Sequence, residues 1–239
     1  VSVALMDGWL RGWVDGWLHG WLHGWVHGWV DGLLNATRPA LLPAFTLWGA
    51  PVTALEIVAF VLALLMVWAN LRVHPVGWPL AIVSSLLYAL LFADSKLYGE
   101  ATLQFVFVVL ALWGWWQWLR GTTNTGVPLP VRHLRPQQRL WALAATLAAW
   151  PLLGLLLKHG TDSDVPFLDA LPTAASVTGQ ILLGRKFVDN WPVWLAVNIV
   201  SVALFAYKGL WLTVVLYGVF AVLSVIGWQA WRRKVADHA

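Results

Sequence analysis

Apolar residues along this chain fall into long runs separated by short polar breaks. Seven such segments lie near residues 50–69, 76–93, 98–118, 139–157, 166–184, 191–207 and 210–231. Several reach the roughly 20 residues that a helix needs to cross a bilayer. Backbone in lipid must satisfy its own hydrogen bonds, so these runs predict helices rather than irregular chain. The ten-residue alternation of a transmembrane β-barrel is absent. The breaks are short except at 120–138, where Gly121, Thr122, Thr123, Asn124, Pro128, Pro130 and Pro136 have the composition of a loop. Residues 33–48, with Pro39 and Pro43, read as a linker.

The segments repeat. Trp78-Pro79 returns 113 positions later as Trp191-Pro192, and Gly114-Trp115-x-x-Trp118 returns as Gly227-Trp228-x-x-Trp231. Glu56 answers Asp169 and Arg72 answers Arg185 in the same register. Segment 139–157 has no counterpart. The expected fold is therefore all-α and integral to the membrane, with seven transmembrane helices arranged as three, one linker helix and three. The expected divisions are 1–48 (N-terminal segment and linker), 49–119 (first unit), 120–158 (loop and linker helix), 159–234 (second unit) and 235–239 (tail). Four spans separate equivalent helices, so both units enter the membrane in the same sense. That predicts a parallel repeat about an axis along the membrane normal, as in SWEET sugar transporters.

Composition agrees. Hydrophobic residues make up 60% and charged residues 11% of the 239, against roughly 25% charged in a soluble domain. The isoelectric point near 9.7 could suggest nucleic acid, but no basic stripe marks a soluble face, and no nucleic-acid partner is expected. The cations instead follow membrane topology. Ten lie after segments one, three, five and seven, namely Arg72, Arg120, Arg132, Arg135, Arg139, Arg185, Lys186, Arg232, Arg233 and Lys234. Five lie on the other side, namely Arg11, Arg38, Lys96, Lys158 and Lys208. The positive-inside rule then puts the C-terminus in the cytoplasm and the N-terminus outside. There is no cysteine, which excludes thiol catalysis, iron–sulfur ligation and disulfides.

Residues 8–32 stand apart as a tetrapeptide repeat, Gly-Trp-(Leu/Val)-(His/Asp/Arg). On a helix a four-residue step winds each stripe by only about 40°. The stripe of Arg11, Asp15, His19, His23 and His27 admits an interfacial amphipathic helix or, through its histidines, a metal site. Low-complexity sequence, even a wrongly assigned start, is the plainer account. A glycine at every fourth position costs a helix about 1 kcal/mol each time. The segment lacks the basic start and unbroken apolar core of a cleavable signal peptide.

Polar residues inside spans are expensive and usually face the bundle interior. In the repeat register Ser85 pairs with Asn198, Tyr88 with Ser201 and Gln104 with Tyr217, and a parallel repeat would set such partners face to face. Trp191, Trp194 and Asn198 are spaced i, i+3, i+7 and share one helix face. An aromatic wall beside an amide suits a flat heteroaromatic ring, more so a cationic one. The alternative is a tryptophan belt with an asparagine bonded to a neighbouring helix. The belt reading extends to Trp115, Trp116, Trp118, Trp228 and Trp231, which precede basic residues. Gln180 is a further intramembrane amide, and Glu56 and Asp169 are matched carboxylates, either structural or able to take a cation or proton. Walker loops, His-Glu-x-x-His and Gly-x-Ser-x-Gly are absent, no catalytic set is expected and no cofactor is implied.

The run Arg185-Lys186-Phe187-Val188-Asp189-Asn190-Trp191-x-x-Trp194-x-x-x-Asn198 is specific. Together with Glu56, Leu97-Tyr98, Gln104, Gly114-Trp115-Trp116-x-Trp118 and Tyr217, it resembles the bacterial PnuC-type vitamin transporters over roughly residues 50–234. The resemblance implies a facilitator in the bacterial inner membrane, often trimeric. Its substrate is nicotinamide riboside, or in some subfamilies thiamine or riboflavin, trapped by phosphorylation in the cytoplasm. It implies stacking of substrate on Trp191 and Trp194 and bonds to Asn198 and Gln104. Tyr88, Tyr217 and Gln180 complete the candidate set. The tryptophan-rich repeat before residue 35 departs from the family pattern.

Overall fold

A computed structural model of the chain describes residue 32 and residues 38–47, 49–94, 98–123, 126–160, 166–207 and 211–237. The tetrapeptide repeat lies outside these, save Gly32. Residues Pro43–Ala239 form one compact unit. Two short strands, β1 (Pro43–Leu47) and β2 (Ala50–Thr53), pair antiparallel around Gly49, whose φ of 83° only glycine adopts cheaply. The expected linker thus ends in a hairpin. Its polar groups pair locally before the chain enters the bundle.

Seven helices follow: α1 (Ala54–Leu71), α2 (Gly77–Asp94), α3 (Tyr98–Arg120), α4 (Pro136–Gly160), α5 (Pro166–Gly184), α6 (Asn190–Tyr207) and α7 (Trp211–Ala236). Their starts follow local chemistry. Thr53 caps α1 by accepting a 3.1 Å bond from the Glu56 N–H, and prolines open α4 and α5, where no N–H is needed. Among the described residues, α1, α4, α6 and α7 are long and apolar enough to cross a membrane. In α2 the apolar run is the shorter Gly77–Phe92. Polar residues interrupt α3 and α5, Gln104 and Gln117 in one and Asp169, Thr173 and Gln180 in the other. Helix α5 is also the most enclosed, with nine buried residues between Ala170 and Gly184, and it packs against α3, α4 and α6.

Packing follows the repeat. α1 packs on α2 and α2 on α3, while α5 packs on α6 and α6 on α7. The two triplets meet through α3 with α5 and through α1 with α7, contacts that exchange when the triplets are exchanged. The turns between the first two helices of each triplet are copies. Val73 and Lys186 both take positive φ, 58° and 56°. The bond from Val73 N to Asn70 O recurs from Lys186 N to Leu183 O, and that from His74 N to Ala69 O recurs from Phe187 N to Leu182 O.

At this end of the bundle, where α1, α3, α5 and α7 finish and the basic residues gather, four tryptophans form the core. Trp78 meets Trp118 edge to face at 5.4 Å, Trp191 meets Trp231 at 5.6 Å, and Trp118 and Trp231 join the pairs at 6.2 Å. Trp118 Nε1 donates across to Leu183 O at 3.1 Å, and Trp231 Nε1 donates back to Asn70 O at 3.0 Å. Each indole therefore adds a second donor to a helix-end carbonyl of the other triplet that already accepts from its own turn. The rings of Trp78 and Trp191 lie over Gly114 and Gly227, where any Cβ would collide with them. The belt reading fails for Trp118 and Trp231, which are 9% and 0% exposed; it suits Trp116, 58% exposed. Chain position near a basic end does not decide which face of the helix a tryptophan occupies.

Residues 126–138 are more ordered than their composition implies. They form a strap against the α5–α6 turn, with Leu129 and Leu134 buried. Arg132 N donates to Lys186 O (3.1 Å) and Val188 N to Arg132 O (2.9 Å). Asp189 fixes the strap: it accepts from Leu134 N at 2.8 Å and meets Arg139 Nε at 2.7 Å.

Candidate functional site

The candidate residues lie along the seam where α6 and α7 run antiparallel. Three contacts mark it. Trp191 meets Trp231, Asn198 Nδ2 donates to Ser224 Oγ at 3.1 Å, and Phe205 meets Tyr217 at 5.1 Å. Each contact is seven residues from the next on both helices, the spacing that keeps one face turned to a partner helix. Trp191, 3% exposed, anchors the basic end of the seam. Asn198, 2% exposed, is at mid-depth, about 12 Å along α6 from Asn190. Ser224 passes the chain of bonds on to Phe220 O at 2.8 Å. In the repeat register the counterparts of Asn198 and Ser224 are Ser85 and Ala111. The second triplet thus carries a polar pair where the first does not.

Trp194 turns toward α5. Its indole lies over Gly179, where a Cβ would stand 3.1 Å from Trp194 Cε2, so a larger residue would crowd the ring. The next residue, Gln180, is buried. Toward the far end, Tyr88 stacks on Phe92 at 6.1 Å and lies within electrostatic reach of Tyr217 and Glu56. Tyr217 also meets Phe220 at 5.9 Å. Glu56 begins α1, Tyr88 is about 9 Å from the end of α2, and Tyr217 is about 9 Å into α7. The two tyrosines lie at matching depth and Glu56 nearer its helix end, about 3 Å in, and the three come from both triplets. Gln104 is half-buried on α3 at similar depth.

The structure therefore brings together Asn198 with Ser224, Trp194 with Gly179, Tyr88 with Phe92, and Tyr217 with Phe205 and Phe220. Asn198 bonds Ser224, its neighbour across the α6–α7 seam. A register describes which positions are equivalent, whereas antiparallel packing within a triplet decides which of its own residues touch. The paired rings of Tyr88 and Phe92, and those of Phe205, Tyr217 and Phe220, can each stack a planar ring and favour a cationic one. The amide and hydroxyl at mid-depth can bond neutral polar groups. Among the described residues no three His, Asp or Glu side chains are grouped to hold a metal ion.

Comparison with known proteins now bears on what this set does. The nicotinamide mononucleotide transporter family matches residues 53–233, both triplets and the strap between them. The chain belongs to this family. The nicotinamide riboside transporter PnuC of Escherichia coli (strain K12) is 24% identical over 181 residues, 66% of this chain and 76% of that protein. That of Neisseria mucosa is 26% identical over 171 residues, covering 66% and 64%. The riboflavin/roseoflavin transporter RibM of Streptomyces davaonensis is 27% identical over 190 residues, covering 79% and 89%. A crystal structure of the vitamin B3 transporter PnuC shares the fold, with a TM-score of 0.65 at 22% identity over 89% of both chains. These relatives are transporters rather than enzymes. As a member of the nicotinamide mononucleotide transporter family, the chain is an all-helical, multi-pass membrane transporter.

Sequence reasoning missed Ser224 and the phenylalanines 92, 205 and 220. The signal was present for α7, where Tyr217, Phe220 and Ser224 repeat the i, i+3, i+7 spacing of Trp191, Trp194 and Asn198 on α6. Apolar helices are rich in phenylalanine, so that signal becomes specific only once the seam is known.

Proposed function

We propose that the chain carries nicotinamide riboside into the cell by facilitated diffusion and that cytoplasmic phosphorylation traps it. The observation that carries this reading is the aromatic cluster of Phe205, Tyr217 and Phe220 on α6 and α7, in a chain of the nicotinamide mononucleotide transporter family. A cationic pyridinium ring would stack there, and in this reading Glu56 faces its charge. In this reading Trp194, Asn198, Gln104 and Gln180 line the route beyond it, and Trp191 sets the slope of α6 by anchoring its end. The seven helices all span, as two parallel three-helix units around the linker helix α4. The basic end faces the cytoplasm, and the protein is a homotrimer in the bacterial inner membrane.

Riboflavin is the second reading, favoured by the greater share of both chains covered in the match to the riboflavin/roseoflavin transporter. Its ring is neutral, so Glu56 separates the two. Uptake of labelled nicotinamide riboside, thiamine and riboflavin into proteoliposomes tests both. Nicotinamide riboside should enter fastest and lose most of its rate in Glu56→Gln, Trp194→Ala and Asn198→Ala. Riboflavin uptake indifferent to Glu56→Gln would move the assignment to riboflavin. Equal riboside uptake by the three variants and the parent would overturn the site.

A further inference from the structure

At the basic end a cleft of about 530 Å³ lies between α4 and α7, lined by His133, Arg139, Val188, Asp189, Pro192, Trp228 and Arg232. That volume falls within the roughly 300–1,000 Å³ of small-molecule sites. It shares no lining residue with the aromatic set described above. We propose that this cleft is a binding site for a phosphate-bearing anion, the head group of an acidic phospholipid.

Three observations support a phosphate ligand. The cleft has two guanidinium groups and an imidazole against a single carboxylate. Asp189 pairs with Arg139 Nε at 2.7 Å, accepts from Leu134 N at 2.8 Å and lies 3.8 Å from His133 Nδ1, so Arg232 brings the cleft's uncompensated positive charge. Arg232 has no carboxylate partner among the described residues, and its guanidinium sits 5.8 Å from the Trp228 ring centroid. The planar donor fork of arginine matches phosphate oxygens and binds them in pairs.

The flanking sequence selects a lipid over a free anion. Leu140 and Trp141 follow Arg139 directly on α4 and are strongly exposed, and Val225 and Ile226 on α7, just before Trp228, are exposed too. Charged lining thus gives way to apolar surface within one helical turn on both walls. Trp228 between them has the amphipathic character of residues that sit at head-group depth. With the basic end in the cytoplasm, the cleft meets the leaflet surface where anionic lipids gather.

Native mass spectrometry of the purified full chain, with added phosphatidylglycerol, phosphatidylcholine or inorganic phosphate, tests the site. Phosphatidylglycerol adducts should dominate, and Arg232→Gln should lower their occupancy about tenfold, the worth of one charge-assisted bond. Arg120→Gln, at the same end but outside the cleft lining, should leave occupancy unchanged. Competition by millimolar inorganic phosphate would keep the phosphate site and assign it to a soluble ligand. Equal adducts of the two lipids, or unchanged phosphatidylglycerol binding in a folded Arg232→Gln protein, would overturn the proposal. Thermal unfolding of each variant in lipid-free detergent checks that the fold is kept.

Discussion

Alanine at Gly227 is a direct probe of the α6–α7 seam. A Cβ built there lies 2.6 Å from Cδ2, Cε2 and Cε3 of Trp191. Carbon atoms pack best about 3.5–4.0 Å apart, so the ring must move by about 1 Å. It has little room to do so. Trp191 is buried and meets Trp231 edge to face, and Trp231 is held by its bond to Asn70 O. Overpacking of this kind costs about 1–3 kcal/mol. Replacing glycine by alanine inside a helix returns about 1 kcal/mol. Gly218, on the same helix with nothing within 4 Å of its would-be Cβ, isolates that return. Gly218→Ala should therefore be neutral or slightly stabilising, and Gly227→Ala should fall below it by about 1–3 kcal/mol. Thermal unfolding in detergent, followed by circular dichroism, measures the gap. Adding Trp191→Phe should recover part of the loss, because the smaller ring makes room, giving a coupling of about 1 kcal/mol. If Gly227→Ala matched Gly218→Ala, or the double variant were additive, the seam would not be packed as described.

Trp118→Phe keeps an aromatic ring but removes one of two donors to Leu183 O, which still accepts from Lys186 N; a loss of about 0.5–1.5 kcal/mol is expected in the same unfolding assay. Ser224→Ala takes away the acceptor of Asn198 Nδ2, and it should destabilise by a similar amount and lower substrate uptake, whereas Ser224→Thr should retain more of both. Asp189→Asn weakens the hold on Arg139 and the Leu134 amide, so limited proteolysis should cut the 126–138 strap faster than in the parent while α6 and α7 stay intact. Burial in the α5–α6 turn lowers the Lys186 pKa. In the window below the ordinary lysine value the unfolded chain binds the extra proton, so stability should rise with pH there and level off above it. Lys186→Met should flatten that slope, and an unchanged slope would remove Lys186 as its source.

Much of the fold was legible in the order of residues. Helix positions came from apolar runs, because lipid allows few other backbones. The repeat came from Trp-Pro, Gly-Trp-x-x-Trp, the arginine pair and the carboxylate pair at a constant offset of 113. The structure repeats that offset in turn dihedrals and cross-triplet bonds no propensity could foretell. The hairpin at 43–53 and the order of the strap were not legible. Both depend on partners distant in sequence or on a local pairing that proline-rich composition conceals.

The number and approximate place of the apolar helices, the 113-residue register and the family were legible in the sequence, since each rests on apolar runs or on motifs that survive without coordinates. The helix ends were not, and α1 begins at Ala54 rather than residue 50 because a hairpin strand precedes it. Which tryptophans are core and which face outward was decided by tertiary structure alone. Trp116 and Trp118 are two residues apart near the same helix end, yet one is exposed and the other bonds the opposite triplet. A helix turns by about 100° per residue, so two steps carry a side chain to nearly the opposite face. Only the packed neighbours determine which of those faces is the inside.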